Sequence, residues 1–212
     1  PARAEAIDFK ILTGGRFSSG PQVERPEDWD RYPYPFIYGQ ADPTLFDHQN
    51  WRQCALRALG KRDFAALTSD YYERDDPLLV QELLRTILPR RGIAAREDEV
   101  ILTMGAQNAL CIAAMLLLGP GRRAGVENPG YPALRLVAAA TGAGVVPLDV
   151  DAYGLPVDGL RGVDVVFVTP SHQCPTNATM PVERRAALLE AAEREGFVVV
   201  EDDYEFEMSF LK

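Results

Sequence analysis

The sequence predicts an α/β protein: a mainly parallel central sheet with helices on both faces. Two observations carry this. From Glu99 onward, short runs rich in Val, Ile and Leu alternate with longer stretches of helical pattern, and glycine or proline stands at the junctions. Strands that alternate with helices are joined by crossovers, and crossovers join parallel strands.

The elements follow in order. "EVILT" at Glu99–Thr103 reads as a buried strand, and "GAQNALCIAAMLLLG" as a helix stopped at Gly119-Pro120. "RRAGVE" is a short strand, "YPALRLVAAATG" a helix ended by Gly142, and "GVVPLDV" and "VDVVFVTP" are strands. "VERRAALLEAAEREG" is a helix ended by Gly196, before the last strand, "FVVVED". Upstream, Asp47 suits the cap of a helix over about Gln49 to Leu59. A second helix spans about Pro77 to Leu88. Its cap is Asp75 or Asp76, Pro77 suits its first turn, and Pro89 and "RRG" end it.

Residues 1–47 form an N-terminal arm, and 48–212 read as part of one larger domain. The arm crowds Pro and aromatics together in "RYPYPFIYGQADP", Arg31 to Pro43, and proline blocks regular helix and central strand. An arm so rich in Tyr and Phe packs on its own domain or on a partner subunit, or is an ordinary ordered loop.

Composition narrows the function. Hydrophobic residues make up 47% of 212, enough for a sizeable core. A net charge of −9 argues against a phosphate backbone as the main partner of this segment. Cys54, Cys111 and Cys174 have no metal spacing, and two histidines give no legible zinc site. They read as reduced thiols of a cytoplasmic protein. "ALCIAAMLLLG" is too short to span a bilayer, so no membrane association is expected.

In open α/β sheets, ligands bind at the carboxyl ends of the strands. That rule selects four clusters. Gly105, Ala106 and Gln107 join a strand to a helix, either as a tight turn or as a cradle for phosphate at the helix N-terminus. "ENPGYP" fixes Tyr131 at the sheet edge, as a core tyrosine or as a stacking surface for a planar ligand. In "VTPSHQCPTNATMP", Asn177 offers a donor and an acceptor. His172 has no GxSxG partner motif, so a hydrolase triad is not expected. In "VVVEDDYEF", alternation puts Asp202 and Tyr204 on one face and Glu201 and Asp203 on the other. An ionised Asp at a strand end can hold a protonated ring nitrogen. A solvated acidic turn is the plainer alternative.

Together these clusters resemble the fold-type I aminotransferases, which use pyridoxal 5′-phosphate (PLP). "GAQNAL", "ENPGYP", "TPSHQCPT" and "VEDDYEFE" are most similar to the aminotransferase-like domain of MocR/GabR-type (GntR family) transcriptional regulators, as are "PFIYGQADPTLF" and "LRTILPRRGI". The resemblance implies that Ala106 and Gln107 bind the cofactor phosphate, with Gly105 shaping the turn, and that Tyr131 stacks on the pyridine ring. Asn177 and Tyr204 bond the ring's O3′ oxygen, and Asp202 pairs with the pyridine nitrogen. Asp202 and Tyr204 are thereby the expected catalytic side chains. Tyr71 or Tyr72 reaches a neighbouring subunit's phosphate. The resemblance also implies a homodimer acting on an amino acid or amine and a 2-oxo acid. DNA is touched only through a winged-helix domain outside this sequence. Asn177 is the choice of free-standing aminotransferases where the regulators usually carry Gly, but the arm and loop motifs match the regulators best, so the expectation is a regulator domain that senses an amine or amino acid through PLP, with a free-standing aminotransferase as the alternative.

The family's Schiff-base lysine sits at the end of a following strand. Lys212 is the only late candidate, and nine residues separate it from Asp202. A parallel crossover takes about a dozen or more. Lys212 therefore reads as an ordinary lysine. The expectation is a chain truncated before the catalytic lysine, unable to transaminate alone.

Overall fold

The structure is a computed structural model that describes residues 26–35, 42–62, 64–70 and 73–204, with positions 8, 11 and 37. Tyr71, Tyr72 and Lys212 lie outside the described residues. The described residues fall into two compact units, one within Val23–Leu102 and one from Thr103 onward.

The first unit is helical. Helix α1, His48–Ala58, starts where the Asp47 carboxylate accepts from the Asn50 N–H at 3.0 Å. A single turn, α2, covers Phe64–Leu67. Helix α3, Pro77–Glu82, is capped by Asp76, which accepts from the N–H groups of Leu78 and Leu79. The expected continuation to Leu88 is not α-helical: Leu83–Ile87 widens into a π turn, and Pro89–Arg91 forms a 3-10 turn ending at Gly92 with φ +70°. A proline ring clashes with the carbonyl four residues back, and the wider turn ahead of Pro89 moves that carbonyl away. In the arm, Tyr32 and Tyr34 are 55% and 78% exposed, so the described chain does not bury them.

The strand expected at Glu99–Thr103 is absent. Glu97–Glu99 is a 3-10 turn, the following residues have no ladder, and Ile101 is 72% exposed. A strand needs a neighbour for its N–H and C=O groups, and no described strand pairs with this run. The Leu102 N–H goes instead to the Asp75 carboxylate at 2.7 Å.

The second unit is the predicted α/β sheet. Strands β1 (Arg123–Asn128), β2 (Gly144–Asp149), β3 (Val165–Val168) and β4 (Val198–Glu201) lie in the order β2-β1-β3-β4, all parallel. Helix α4 (Ala106–Leu117) precedes β1, α5 (Pro132–Ala140) joins β1 to β2, and α6 (Val182–Glu195) joins β3 to β4. Alternation along β3 divides the core. Val165 and Phe167 join Leu110 and Ala114 of α4 and Leu134 and Ala138 of α5. Val166 and Val168 join Leu188 and Ala191 of α6. Helices thus cover both faces of the sheet, and β3 is buried along its whole length. Gly125 of β1 lies where a Cβ would meet Leu148 Cδ1 at 2.7 Å, so a side chain there would crowd the neighbouring strand.

Candidate functional site

Because β1, β3 and β4 are parallel neighbours, their carboxyl ends share one edge of the sheet. The last ladder bond runs from the Asp202 N–H to the Val168 carbonyl, 2.9 Å. Val200 packs with Tyr131 on the face that carries α4 and α5, and Asp202, two residues on, takes the same side. Asp202 and Tyr131 accordingly line one small recess, with Glu127 and Thr169.

The turn that carries Tyr131 is pinned from both sides. Asn128 accepts from Arg135 at 2.6 Å and donates to Asp149 at 2.6 Å. Gly130 sits so close to the Glu127 carbonyl that no Cβ fits there. Tyr131 then leads directly into α5, with Pro132 at its first position.

Burial raises the pKa of the half-buried Asp202 carboxyl, and the charge of Asp203 adds to the effect. An acid held in this way is stabilised by a cation brought against it.

The other expected residues stand around this recess without lining it. Helix α4 begins at Gly105, which has φ +89°, and no side chain caps it. Ala106 and Gln107 are exposed in its first turn. A short link joins the C-terminus of α4 to the start of β1, and α4 packs back over β1 and β3. Its N-terminus therefore points toward the carboxyl edge of the sheet. Asn177 is exposed in a left-handed turn with φ +61°. The Tyr204 ring lies edge-on to the His172 ring at 5.6 Å, against the loop after β3. His172 is thus a scaffold contact of Tyr204. So the structure brings Tyr131 and Asp202 together. Gly105, Ala106, Gln107 and Asn177 lie on other segments, and Tyr204, two residues after Asp202, turns its ring against His172.

Two residues that sequence reasoning did not single out occupy the centre. Glu127 is 5% exposed, and its carboxylate accepts from the Thr169 hydroxyl at 2.5 Å, the Thr169 N–H at 3.2 Å and Gln173 Nε2 at 3.1 Å. Burial raises its pKa, the Thr169 and Gln173 bonds oppose that, and the Asp202 charge adds to the rise; the net direction is upward. Gln173 is fully buried, and its Nε2 also reaches the carbonyls of Pro129 and Cys174. The available signal was a lone acid inside the apolar run "AGVEN" and a glutamine inside a proline-bounded loop.

Comparison with known proteins agrees with this fold. The family described as Aminotransferase class I and II matches residues 46–205. Over 182 residues the chain is 64% identical to the HTH-type transcriptional regulator TauR of Rhodobacter capsulatus, covering 85% of this chain and 38% of TauR. It is 35% identical to the probable rhizopine catabolism regulatory protein MocR of Rhizobium meliloti, covering 82% of this chain and 36% of that protein. A 2-aminoadipate transaminase of Thermus thermophilus is 28% identical, with 82% of this chain and 44% of the enzyme covered. Among solved structures, an archaeal alanine:glyoxylate aminotransferase superposes with a TM-score of 0.68 at 27% identity, over 76% of this chain and 42% of its own. The α-aminoadipate aminotransferase LysN of Thermus thermophilus, solved with N-(5′-phosphopyridoxyl)-L-leucine, gives 0.66 at 27% identity, over 79% and 43%. The chain therefore spans well under half the length of these relatives.

Proposed function

The chain belongs to the class I and II aminotransferase family, and from that premise we propose that it is the PLP-binding, aminotransferase-like domain of a MocR/GabR-type transcriptional regulator. In this reading the domain senses an amine or amino acid through the Schiff-base chemistry of PLP. The observation that carries it is the placement of Asp202: a half-buried carboxyl in one recess with the Tyr131 ring, at the carboxyl edge of a parallel sheet.

The residues present fit the cofactor. The ring of Tyr131 offers a stacking face, and Asp202 is an acid whose raised pKa falls again once a cation pairs with it. The uncapped N-terminus of α4 has N–H groups and a helix dipole suited to a phosphate. Ala106 and Gln107 would hold the phosphate there, Gly105 giving the backbone its left-handed entry. Asn177 and Tyr204 would reach O3′. When bound, PLP supplies an electron sink for charge at the substrate Cα. Asp202 serves that chemistry by keeping a proton on the pyridine nitrogen. Tyr131 orients the ring, and Gly105 to Gln107 fix its phosphate end.

A homodimer, a winged-helix DNA reader elsewhere in the protein and a cytoplasmic location belong to the same proposal, supported by the regulator relatives. No helix among the described residues is long and apolar enough to cross a membrane. A second reading, a free-standing transaminase acting on an amino acid and a 2-oxo acid, is favoured by Asn177 and by the Thermus relative.

The experiment is an absorption titration of the full-length protein with PLP, followed by amino acids and amines one at a time. Saturable binding, a spectral change with a particular amine and altered DNA binding support the sensor. Multiple turnover of amino acid and 2-oxo acid, with no effect on DNA binding, supports the transaminase. No PLP binding rejects both.

A further inference from the structure

Two carboxylates, Glu127 and Asp202, line the recess beside the ring of Tyr131. Glu127 comes from β1 and Asp202 from the end of β4, with β3 between them. Neighbouring strands lie about 4.8 Å apart, so the two backbones are about 10 Å apart and both acids border one hollow. Much of the rest of that hollow is apolar, with Leu134 and Phe167 among its walls, and apolar walls screen charge poorly. The two acids feel each other: the Asp202 charge is one of the causes that raise the Glu127 pKa.

Three donors converge on the Glu127 carboxylate. Its Oε2 accepts from the Thr169 hydroxyl at 2.5 Å and from Gln173 Nε2 at 3.1 Å, and its Oε1 accepts from the Thr169 N–H at 3.2 Å. Donors on both oxygens favour the ionised form and oppose the effect of burial. Gln173 keeps its nitrogen turned this way, because that nitrogen also serves the Pro129 carbonyl while the amide oxygen accepts from Thr176. No described Lys or Arg side chain reaches the carboxylate. Arg135 Nη2 bonds instead to Asn128 Oδ1 at 2.6 Å and to the main-chain carbonyl of Glu127 at 3.4 Å. The Glu127 charge is therefore hydrogen-bonded but not neutralised, and its field extends into the recess.

We propose that Glu127 is a second anionic group of the cofactor recess: held by Thr169 and Gln173, it acts through space beside Asp202 to favour a ring that carries a positive charge. Asp202 makes the contact, and Glu127 touches no reacting atom. A cation brought against Asp202 also relieves the repulsion between the two acids. This rests on the PLP reading above.

The test compares PLP with the analogue that has carbon in place of the ring nitrogen. The analogue keeps the aldehyde and the phosphate, so whatever grips those groups acts alike on both ligands. Only PLP can carry the ring charge. Dissociation constants for both are measured by absorption titration of the full-length protein at neutral pH. The wild type should prefer PLP. Glu127→Gln removes the charge, keeps the shape of the side chain and should cut that preference about three- to tenfold, the effect of one charge across a partly screened recess. A merely structural glutamate would weaken both ligands by one factor when replaced. A preference that Glu127→Gln leaves in place overturns the proposal, and so does equal binding of the two ligands by the wild type. If Glu127→Gln does not fold, Thr169→Val keeps the acid but removes its hydroxyl donor. That change favours the uncharged form and should lower the preference at least about twofold. An unchanged preference there overturns the proposal as well. A wild type that binds neither ligand removes the PLP reading and this inference together. A wild type that binds PLP, with a preference indifferent to Glu127, removes only the inference.

Discussion

The Thr169 hydroxyl donates to the Glu127 carboxylate at 2.5 Å, and both side chains are buried at the ends of the adjacent strands β1 and β3. This bond ties the two strand ends that border the recess. Its pH behaviour follows from the upward displacement of the Glu127 pKa by burial.

Glu127 takes up its proton at higher pH in the folded chain than in the unfolded one. Its contribution to stability is therefore fully present below the ordinary value of 4.5 and is lost as pH rises through the raised value. Glu127→Gln removes that dependence and turns an amide N–H toward a donor. At pH 7 the variant should be destabilised by about 1–3 kcal/mol in urea unfolding. As pH falls toward 4.5, the difference should move further in favour of the wild type. A difference that is flat with pH means Glu127 titrates alike in both states.

Asp202 has the same sign. Its raised pKa means that ionised Asp202 is a burden on the folded chain without a cation beside it. Asp202→Asn should therefore raise the stability of the PLP-free protein at pH 7 by about 0.5 kcal/mol, a figure kept small because solvent screens a half-buried site. The same change should weaken PLP binding. Differential scanning calorimetry with and without PLP checks both directions, and a variant less stable than the wild type without PLP contradicts the assignment.

Much of this was legible in the sequence. Asp76 followed by Pro77 marks a helix start by capping chemistry alone, and α3 begins there. Val165–Val168 reads as a strand because a short β-branched run bounded by turn residues suits a strand buried on both faces, and it is buried throughout. What was not legible depends on distant partners. "EVILT" has the composition of a strand, but composition does not supply the neighbour that a ladder requires. Glu127 and Gln173 meet across 46 positions, so no local pattern announces them. The π turn before Pro89 is a steric response that helical periodicity hides.

Gly130 gives a test of the Tyr131 turn. A Cβ there runs into the Glu127 carbonyl oxygen, which the strand cannot move. Gly130→Ala should cost about 1–3 kcal/mol in stability. It should also weaken PLP binding more than Gly119→Ala, a control at an open position with an ordinary backbone conformation. Equal PLP affinities for the two variants would show that the turn does not set the ring of Tyr131.

The central claim is that Asp202, and not its neighbour, is the charge partner of the cofactor. The direct measurement is the PLP dissociation constant of the full-length protein carrying Asp202→Ala or Asp203→Ala. A charge-assisted hydrogen bond is worth about 1.5–3 kcal/mol. Asp202→Ala should therefore bind PLP about 10- to 100-fold more weakly, while Asp203→Ala stays within about threefold of the wild type. Equal losses from the two substitutions would contradict the assignment of Asp202 to the ligand face.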